Sequence, residues 1–367
     1  MRESSFGLEI TGEGDSSSEN DRLAMPHKLS NLWPQIASYD ALLDAWKEVR
    51  SGKGTKRLIL QYESNLAVNI SHLESKLLNG RYKPRPHYEF WIKDPKPRLI
   101  QAPFLEDRIV QHSVCNVLRV PLQQRLIDHT YSCLIGRGTH RCSSQFHQYV
   151  KDQRWKYYLS LDISKFFYSI NHKALYAELC RHIKCKPTLE LLWQYITVNG
   201  GDCGIPIGAS TSQIMANMAL NPLDHFARRE LQLTTYLRYC DDMISLFETA
   251  EAAHAAHRAM AQKVEELGMR LNSKSAVGWV DDGVDWVGYR HWRTYKLIRK
   301  RSLKRLRRKA ADGCSLETTM AYLSHAKNTA SLRHVGKLLW YANPCQRPEI
   351  YYWSAKHREV NRTVPRA

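Results

Sequence analysis

Thr235-Tyr-Leu-Arg-Tyr239-Cys240-Asp241-Asp242-Met-Ile-Ser-Leu-Phe247 sets two adjacent acids inside an apolar, strand-forming frame. β-Formers lead into the acids and a hydrophobic run leads out, which predicts a hairpin with Asp241-Asp242 as its turn. Turns commonly take Asp, so a plain hairpin loop is the simplest account. Two carboxylates side by side repel, however, unless a cation neutralises them. Strand alternation sends neighbouring side chains to opposite faces, so only one of the two need face a third acid. Tyr157-Tyr-Leu-Ser-Leu-Asp162-Ile163 supplies one, as an apolar strand ending in a carboxylate. If the two strands are neighbours, two carboxylates converge. That is the arrangement phosphoryl transfer needs, with two divalent ions about 4 Å apart. Mg²⁺ suits it, because it takes oxygen ligands and keeps several waters.

Working outward, helical periodicity follows Asp162 near 172–183 and 187–198, and a long helix is expected over 208–232. After the hairpin come an Ala-rich helix over 250–268 and strands near 275–280 and 284–290. The order is close to a split β-α-β-β-α-β sheet. Upstream, Ile36, Leu42, Leu43 and Trp46, then Leu66, Ile70, Leu73 and Leu77, recur at helical spacing. His87–Ile92 and Arg98–Ala102 read as strands around the turn Asp94-Pro95-Lys96-Pro97, with Lys93, Lys96 and Arg98 near its tip. A helix is expected over 105–127. Residues 1–27 are rich in Ser and acids and read as a disordered tail.

Composition agrees with a polyanionic partner. The 367 residues carry 54 Lys and Arg against 36 Asp and Glu, a net charge of +18. Basic side chains release counterions from phosphates. Arg293–Lys309 concentrates ten of the positives in 17 residues with no acid, a pattern that suits a backbone-contacting helix over a merely solvated face. Nine cysteines include no CxxC pair. Cys180-Arg-His182-Ile-Lys-Cys185 lacks a second ligand pair at the usual zinc spacing. Reduced thiols and a cytoplasmic location are expected, and no membrane span, since no apolar run nears the ~18 residues one needs.

Several motifs then resemble one family in order along the chain. Tyr239-Cys240-Asp241-Asp242 resembles the YxDD box of reverse transcriptases. Leu161-Asp162-Ile-Ser-Lys-Phe-Phe167-Tyr-Ser-Ile170 resembles their first palm motif, and Gly204-Ile-Pro-Ile-Gly208-Ala-Ser-Thr-Ser212-Gln213-Ile-Met-Ala-Asn217 the motif between. Leu271-Asn-Ser-Lys274 and Trp286-Val-Gly-Tyr289 resemble the motif before the primer grip and the grip itself. The likeness is collinear from about residue 30 to 340.

It implies an α+β right-hand polymerase fold. The expected divisions are a tail (1–27), an N-terminal region with fingers (28–150), a palm (151–291), a basic helical thumb (292–345) and a C-terminal tail (346–367). It implies that Asp162 and Asp241 hold two Mg²⁺ ions, with the Ile163 carbonyl as a further ligand and Asp242 in support. Phe167 falls at the steric-gate position, while Phe166 is read as core. Lys93 and Arg98 fall where the fingers meet the incoming triphosphate, and Ile207, Gly208, Gln213 and Lys274 in its surroundings. Gly288, Tyr289, Arg299, Lys300, Lys304, Arg305 and Arg308 are expected along primer and template.

The Ile207-Gly208-x-x-x-Ser212-Gln213 form most resembles the enzymes of diversity-generating retroelements. That implies a structured template RNA, reduced fidelity at template adenines and a basic helical-bundle accessory protein. Reverse transcriptases of phage defence share several of these features, and a catalytically silent RNA-binding module is the reading from another class. The intact Asp162, Asp241 and Asp242 argue against the last.

Overall fold

The strand that ends at Asp162 alternates between buried and half-buried positions, while the one that begins at Asp242 is buried from its second residue to its last. A strand buried on both faces belongs at the centre of a covered sheet. These two pair with each other in a computed structural model that describes residues 27–93 and 97–356, with side chains to 353. Residues 1–26 of the expected tail, the hairpin tip at Lys96 and residues 357–367 lie outside the described residues.

Nine strands are described: β1 (Tyr88–Ile92), β2 (Arg98–Ala102), β3 (Tyr157–Asp162), β4 (Leu237–Tyr239), β5 (Asp242–Phe247), β6 (Ala276–Trp279), β7 (Val284–Trp286), β8 (Tyr289–His291) and β9 (Lys296–Ile298). The central sheet runs β4-β5-β3-β6, antiparallel throughout. With helices between β3 and β4 and between β5 and β6, this is the split β-α-β-β-α-β palm of a right-hand polymerase.

Its two faces are packed differently. Leu159, Leu161, Met243 and Phe247 join the main core with helix Ala250–Glu266, which buries Ala253, Ala256, Met260 and Val264 at helical spacing. Ile244 and Leu246, on the opposite face of β5, join a second cluster with Phe146, Val150 and Trp286. Helices Tyr39–Arg50 and Leu66–Leu78 bury Leu42, Trp46, Ile70 and Leu73 in the main core, which also takes in Ile109, Val114 and Leu118 of helix Leu105–Gln123. A third cluster, from Tyr289 to Ile350, is built by β8, β9 and the C-terminal helices. Helix Arg347–Lys356 contributes Ile350 to it, so the start of the expected C-terminal tail packs with the thumb.

Several expectations need correction. The helix from 105 ends at Gln123, two residues past Pro121, whose ring takes one N–H out of the last turn and weakens it. The helix expected over 208–232 is three pieces, Ser210–Ala219, Asn221–His225 and a π-helical turn Phe226–Glu230. Pro222 marks the first break, since it opens a new helical start far better than it continues an old one. The stretch from Arg293 is helical only from Lys300, because Lys296 lies in β9.

Candidate active site

β3 and β5 are in a register that sets Asp162 directly opposite Asp242. Residues opposite each other on antiparallel strands point to the same face. By alternation that face carries Ile244 and Leu246, the side away from helix Ala250–Glu266. Asp242 is exposed and Asp162 half-buried. The turn is therefore Cys240-Asp241 rather than Asp241-Asp242, since Asp242 is already paired with Tyr239 as the first residue of β5. Cys240 has φ of 60°, which lets the tight turn present Asp241 beside the facing pair. Burial, then the Asp241 charge, pushes the Cys240 thiol up to about 12, which leaves it a packing group and no nucleophile.

The loop after helix Ala250–Glu266 braces Asp162 from behind. The Asn272 N–H donates to the Asp162 carbonyl at 2.6 Å, and the Ser164 N–H to the Arg270 carbonyl at 2.9 Å. The Asp162 N–H donates to Ser275 Oγ at 3.3 Å. Ile163 and Leu271 form the bridge between those bonds, so the pairing does not consume the Ile163 carbonyl. Lys274 is exposed in the same loop, its N–H donating to Asn272 Oδ1 at 3.1 Å.

Phe166 is buried in the core, while Phe167 is half-buried and meets it edge-on at 5.4 Å. The Phe167 carbonyl accepts from the Ile205 N–H at 2.8 Å, and the Ile207 carbonyl accepts from the Gln101 N–H at 2.8 Å. One loop thus joins the turn bearing Phe167 to the fingers hairpin. Gly208 sits at φ of 120°, and a Cβ there would lie 3.0 Å from Ile100 Cγ2 and 3.2 Å from the Gln101 carbonyl. Only glycine allows that approach. Lys93 and Arg98 are exposed on the hairpin so joined, and Gln213 is exposed on the helix that follows the loop.

The expected primer-side residues divide. Lys300, Lys304 and Arg308 are exposed on helix Lys300–Ala311, which turns Leu306 and Ala310 inward, and Arg305 is half-buried there. Arg299 caps that helix, 3.9 Å from Asp285. Gly288 turns between β7 and β8 at φ of 93°, and a Cβ there would lie 3.3 Å from His325 Cε1.

Tyr289 is a correction, because its side chain is 1% exposed and presents no surface to a primer. Its hydroxyl donates to the His325 carbonyl at 3.0 Å and lies 3.0 and 3.1 Å from the Nδ1 atoms of His325 and His140. It joins the grip hairpin to helices on either side. Lys296, read as part of the basic run, is also buried, its ammonium 3.1 Å from Ser143 Oγ and 5.3 Å from the Tyr289 ring centre.

A pair of facing carboxylates with a third in the adjoining turn fits a divalent cation better than it fits nothing, since like charges directly opposite are otherwise destabilising. Among the described residues no three His, Cys, Asp or Glu side chains converge into a cage. Mg²⁺ does not need one, because in nucleotide-using sites one or two carboxylates hold it and substrate phosphates complete its shell. Sequence reasoning missed the support beneath the turn, where Arg238 is fully buried against Asp224. The available signal was an arginine inside an apolar strand, which requires a partner.

Among the described residues no helix is long and apolar enough to cross a membrane. A sequence model of the family described as reverse transcriptase (RNA-dependent DNA polymerase) matches residues 92–291. Protein YkfC of Escherichia coli is 26% identical over 296 residues, covering 68% of this chain and 76% of that one. Two solved telomerase structures are similar. One, from Candida albicans with a fragment of telomeric RNA, has a TM-score of 0.48 and 11% identity over 77% of this chain. The other, from Candida tropicalis without ligand, has 0.49 and 12% over 77%. The chain spans 58% and 60% of those two proteins.

Proposed function

Since the chain belongs to the reverse transcriptase (RNA-dependent DNA polymerase) family, we propose that it copies RNA into DNA from deoxynucleoside triphosphates at the face of β3 and β5. The observation that carries this reading is the register of Asp162 against Asp242, with Asp241 in the adjoining turn, inside the matched region. Asp162, Asp241 and the Ile163 carbonyl would hold two Mg²⁺ ions, with Asp242 beside them. Bound there, the metals lower the charge on the triphosphate and activate the primer 3′-hydroxyl.

The chain's own groups do the rest. Lys93 and Arg98 meet the phosphates, Arg98 with a planar fork and Lys93 as a point charge. Phe167 lies under the sugar and leaves no room for a 2′-hydroxyl. Lys300, Lys304 and Arg308 line one side of helix Lys300–Ala311 toward the template–primer backbone, so binding weakens with salt.

The test is primer extension on an RNA template with Mg²⁺ and all four dNTPs. Asp241→Ala abolishes synthesis and leaves RNA binding near the wild-type level. Synthesis persisting in that variant would remove the assignment.

The finer reading is an error-prone enzyme of a diversity-generating retroelement, working with a structured RNA and a basic helical-bundle partner. Ile207 supports it, because an apolar group beside the fingers hairpin gives the nascent base pair no hydrogen bond. Ile207→Gln is expected to lower misincorporation opposite template adenines in sequenced products. An unchanged error spectrum would leave the defence role as the better account.

A further inference from the structure

Beneath the Cys240-Asp241 turn, Arg238 and Asp224 are both 0% exposed. Nothing in a hydrophobic strand asks for an arginine, and burying one is costly unless every donor is met. Here each donor is met. Nε donates to Asp224 Oδ1 at 2.8 Å, and Nη2 to Asp224 Oδ2 at 2.7 Å and to the Asn217 carbonyl at 3.3 Å. Nη1 donates to Asn217 Oδ1 and to the Cys240 carbonyl, each at 3.0 Å. The acceptors are held in turn. Asp224 accepts from the Tyr236 hydroxyl at 2.8 Å and from Thr130 Oγ1 at 3.2 Å, and Asn217 Nδ2 donates to the Ser132 carbonyl at 3.0 Å.

One of those five bonds leaves the cluster and ends on the turn. Cys240 sits in the left-handed region, which costs a residue with a side chain about 1–2 kcal/mol against its relaxed conformations. Such a conformation persists only where the surroundings over-determine it. The Arg238 guanidinium is the surrounding group that grips its carbonyl. Moreover, the fork is fixed before it reaches Cys240, since Asp224 and Asn217 lie on separate helices packed in the main core. Asp241 is the next residue, so the aim of its carboxylate depends on the same bond.

We propose that Arg238 is a positioning residue. Locked by Asp224 and Asn217, it holds the Cys240 carbonyl and so keeps Asp241 aimed at the metal position beside Asp162 and Asp242. This rests on the polymerase reading of those aspartates. A lysine at 238 would keep the charge but offers three donors on a flexible stem, too few to hold Asp224, Asn217 and Cys240 together.

The experiment uses the full chain and four readouts. Thermal unfolding and RNA affinity report whether each variant is folded. Electron paramagnetic resonance of free Mn²⁺ reports metal affinity without turnover. Steady-state extension at saturating Mg²⁺ separates kcat from the KM for dNTP. Loss of a partner that orients a metal ligand costs about 10–100-fold in affinity or activity, and this is the drop expected for Mn²⁺ binding and kcat in Arg238→Lys, with KM nearly unmoved. Glycine takes a positive φ without steric cost. In a Cys240→Gly background, therefore, the penalty of Arg238→Lys on both readouts should shrink severalfold.

A folded Arg238→Lys protein with wild-type Mn²⁺ affinity and kcat overturns the proposal, as does a penalty equal in both backgrounds. If Arg238→Lys does not fold, Asn217→Ser removes one arm of the clamp and leaves the ion pair. It is expected to weaken Mn²⁺ binding in the same direction, and wild-type affinity there is equally fatal. A wild type that binds Mn²⁺ but polymerises on no RNA sinks the polymerase reading and leaves the positioning role to the Mn²⁺ arm. One that does neither sinks both.

Discussion

Among the described residues two long basic side chains are buried, and they are buried in opposite ways. Arg238, under the Cys240-Asp241 turn, faces Asp224 across a bidentate pair and has all its donors engaged. Lys296, in β9 beside helix Thr139–Lys151, has no carboxylate facing it among the described residues. Its hydrogen bond is to Ser143 Oγ, and its neighbours are Tyr289 and the bases His140, His147 and His291. Burial, then Lys151, pushes the Lys296 ammonium down to about 8, while burial takes His147 to about 4 and His291 to about 2. A charge that must be fixed was given a counter-charge on the same rigid core. One that joins two packing clusters was left to the solvent's proton activity. The first arrangement fixes an atom through a full set of bonds, and the second leaves an ammonium on one hydrogen bond where β9 meets helix Thr139–Lys151.

The sharpest way to break that contrast is to remove the cation on each side. Arg238→Met leaves Asp224 in the core without its counter-charge, held by Tyr236 and Thr130, which costs about 3–5 kcal/mol, read from urea unfolding at pH 7. Adding Asp224→Leu should recover much of the loss, because replacing both partners by apolar groups removes the stranded charge. A single variant as stable as the wild type would show that water reaches the pair.

How much of this could be read from the residues follows the same division. The strands around Asp162 and Asp241 were legible because β-formers and apolar runs frame the acids, and the fingers hairpin because Pro and Asp mark its turn. The exact register was not. Whether Asp241 or Asp242 faces Asp162 depends on where the turn closes, and Cys240 in the left-handed region moves it by one residue. The 208–232 stretch looked like one helix because its apolar spacing continues across Pro222, and periodicity alone does not register a lost N–H. Tyr289 and Lys296 were misplaced for a further reason: a Tyr near a grip motif and a Lys in a basic run look exposed, and only the packing of three segments far apart in sequence buries them.

On the other side of the contrast, Lys296→Met is expected to stabilise. The ammonium titrates in the folded protein near 8 but near its usual 10.5 when unfolded. Between those values the unfolded chain binds more protons, so wild-type stability rises with pH across that window and the penalty is full below pH 8. Methionine removes it. The gain at pH 7 should be on the order of 2 kcal/mol, allowing for the water that still reaches the ammonium, and it should fade as pH rises from about 8 to 10.5. A gain that does not change over that window would mean that Lys296 costs nothing by being charged.

The smallest change expected is at the joint itself. Tyr289→Phe keeps the ring stacked on His325 at 4.5 Å but deletes the hydroxyl that serves His325 and His140. Of the groups left behind His325 is half-buried and His140 exposed, so water can replace part of the bonding and about 0.5–1.5 kcal/mol of local stability is lost. Hydrogen exchange should quicken in helix Leu316–Ala326 and in β8 while the central sheet stays protected, and extension should terminate sooner per binding event. Burial holds both histidines below their usual range, so above it they are neutral, and a neutral Nδ1 can take the hydroxyl's one proton in place of the His325 carbonyl or donate its own to the hydroxyl oxygen. The unfolded chain takes up protons first as pH falls through 6.5, and wild-type joint stability is lost toward the lower folded values. The difference between wild type and Tyr289→Phe should therefore be full at pH 7.5 and shrink toward pH 5. A difference that stays constant on acidification would place the hydroxyl's worth in its bond to the His325 carbonyl, which does not titrate.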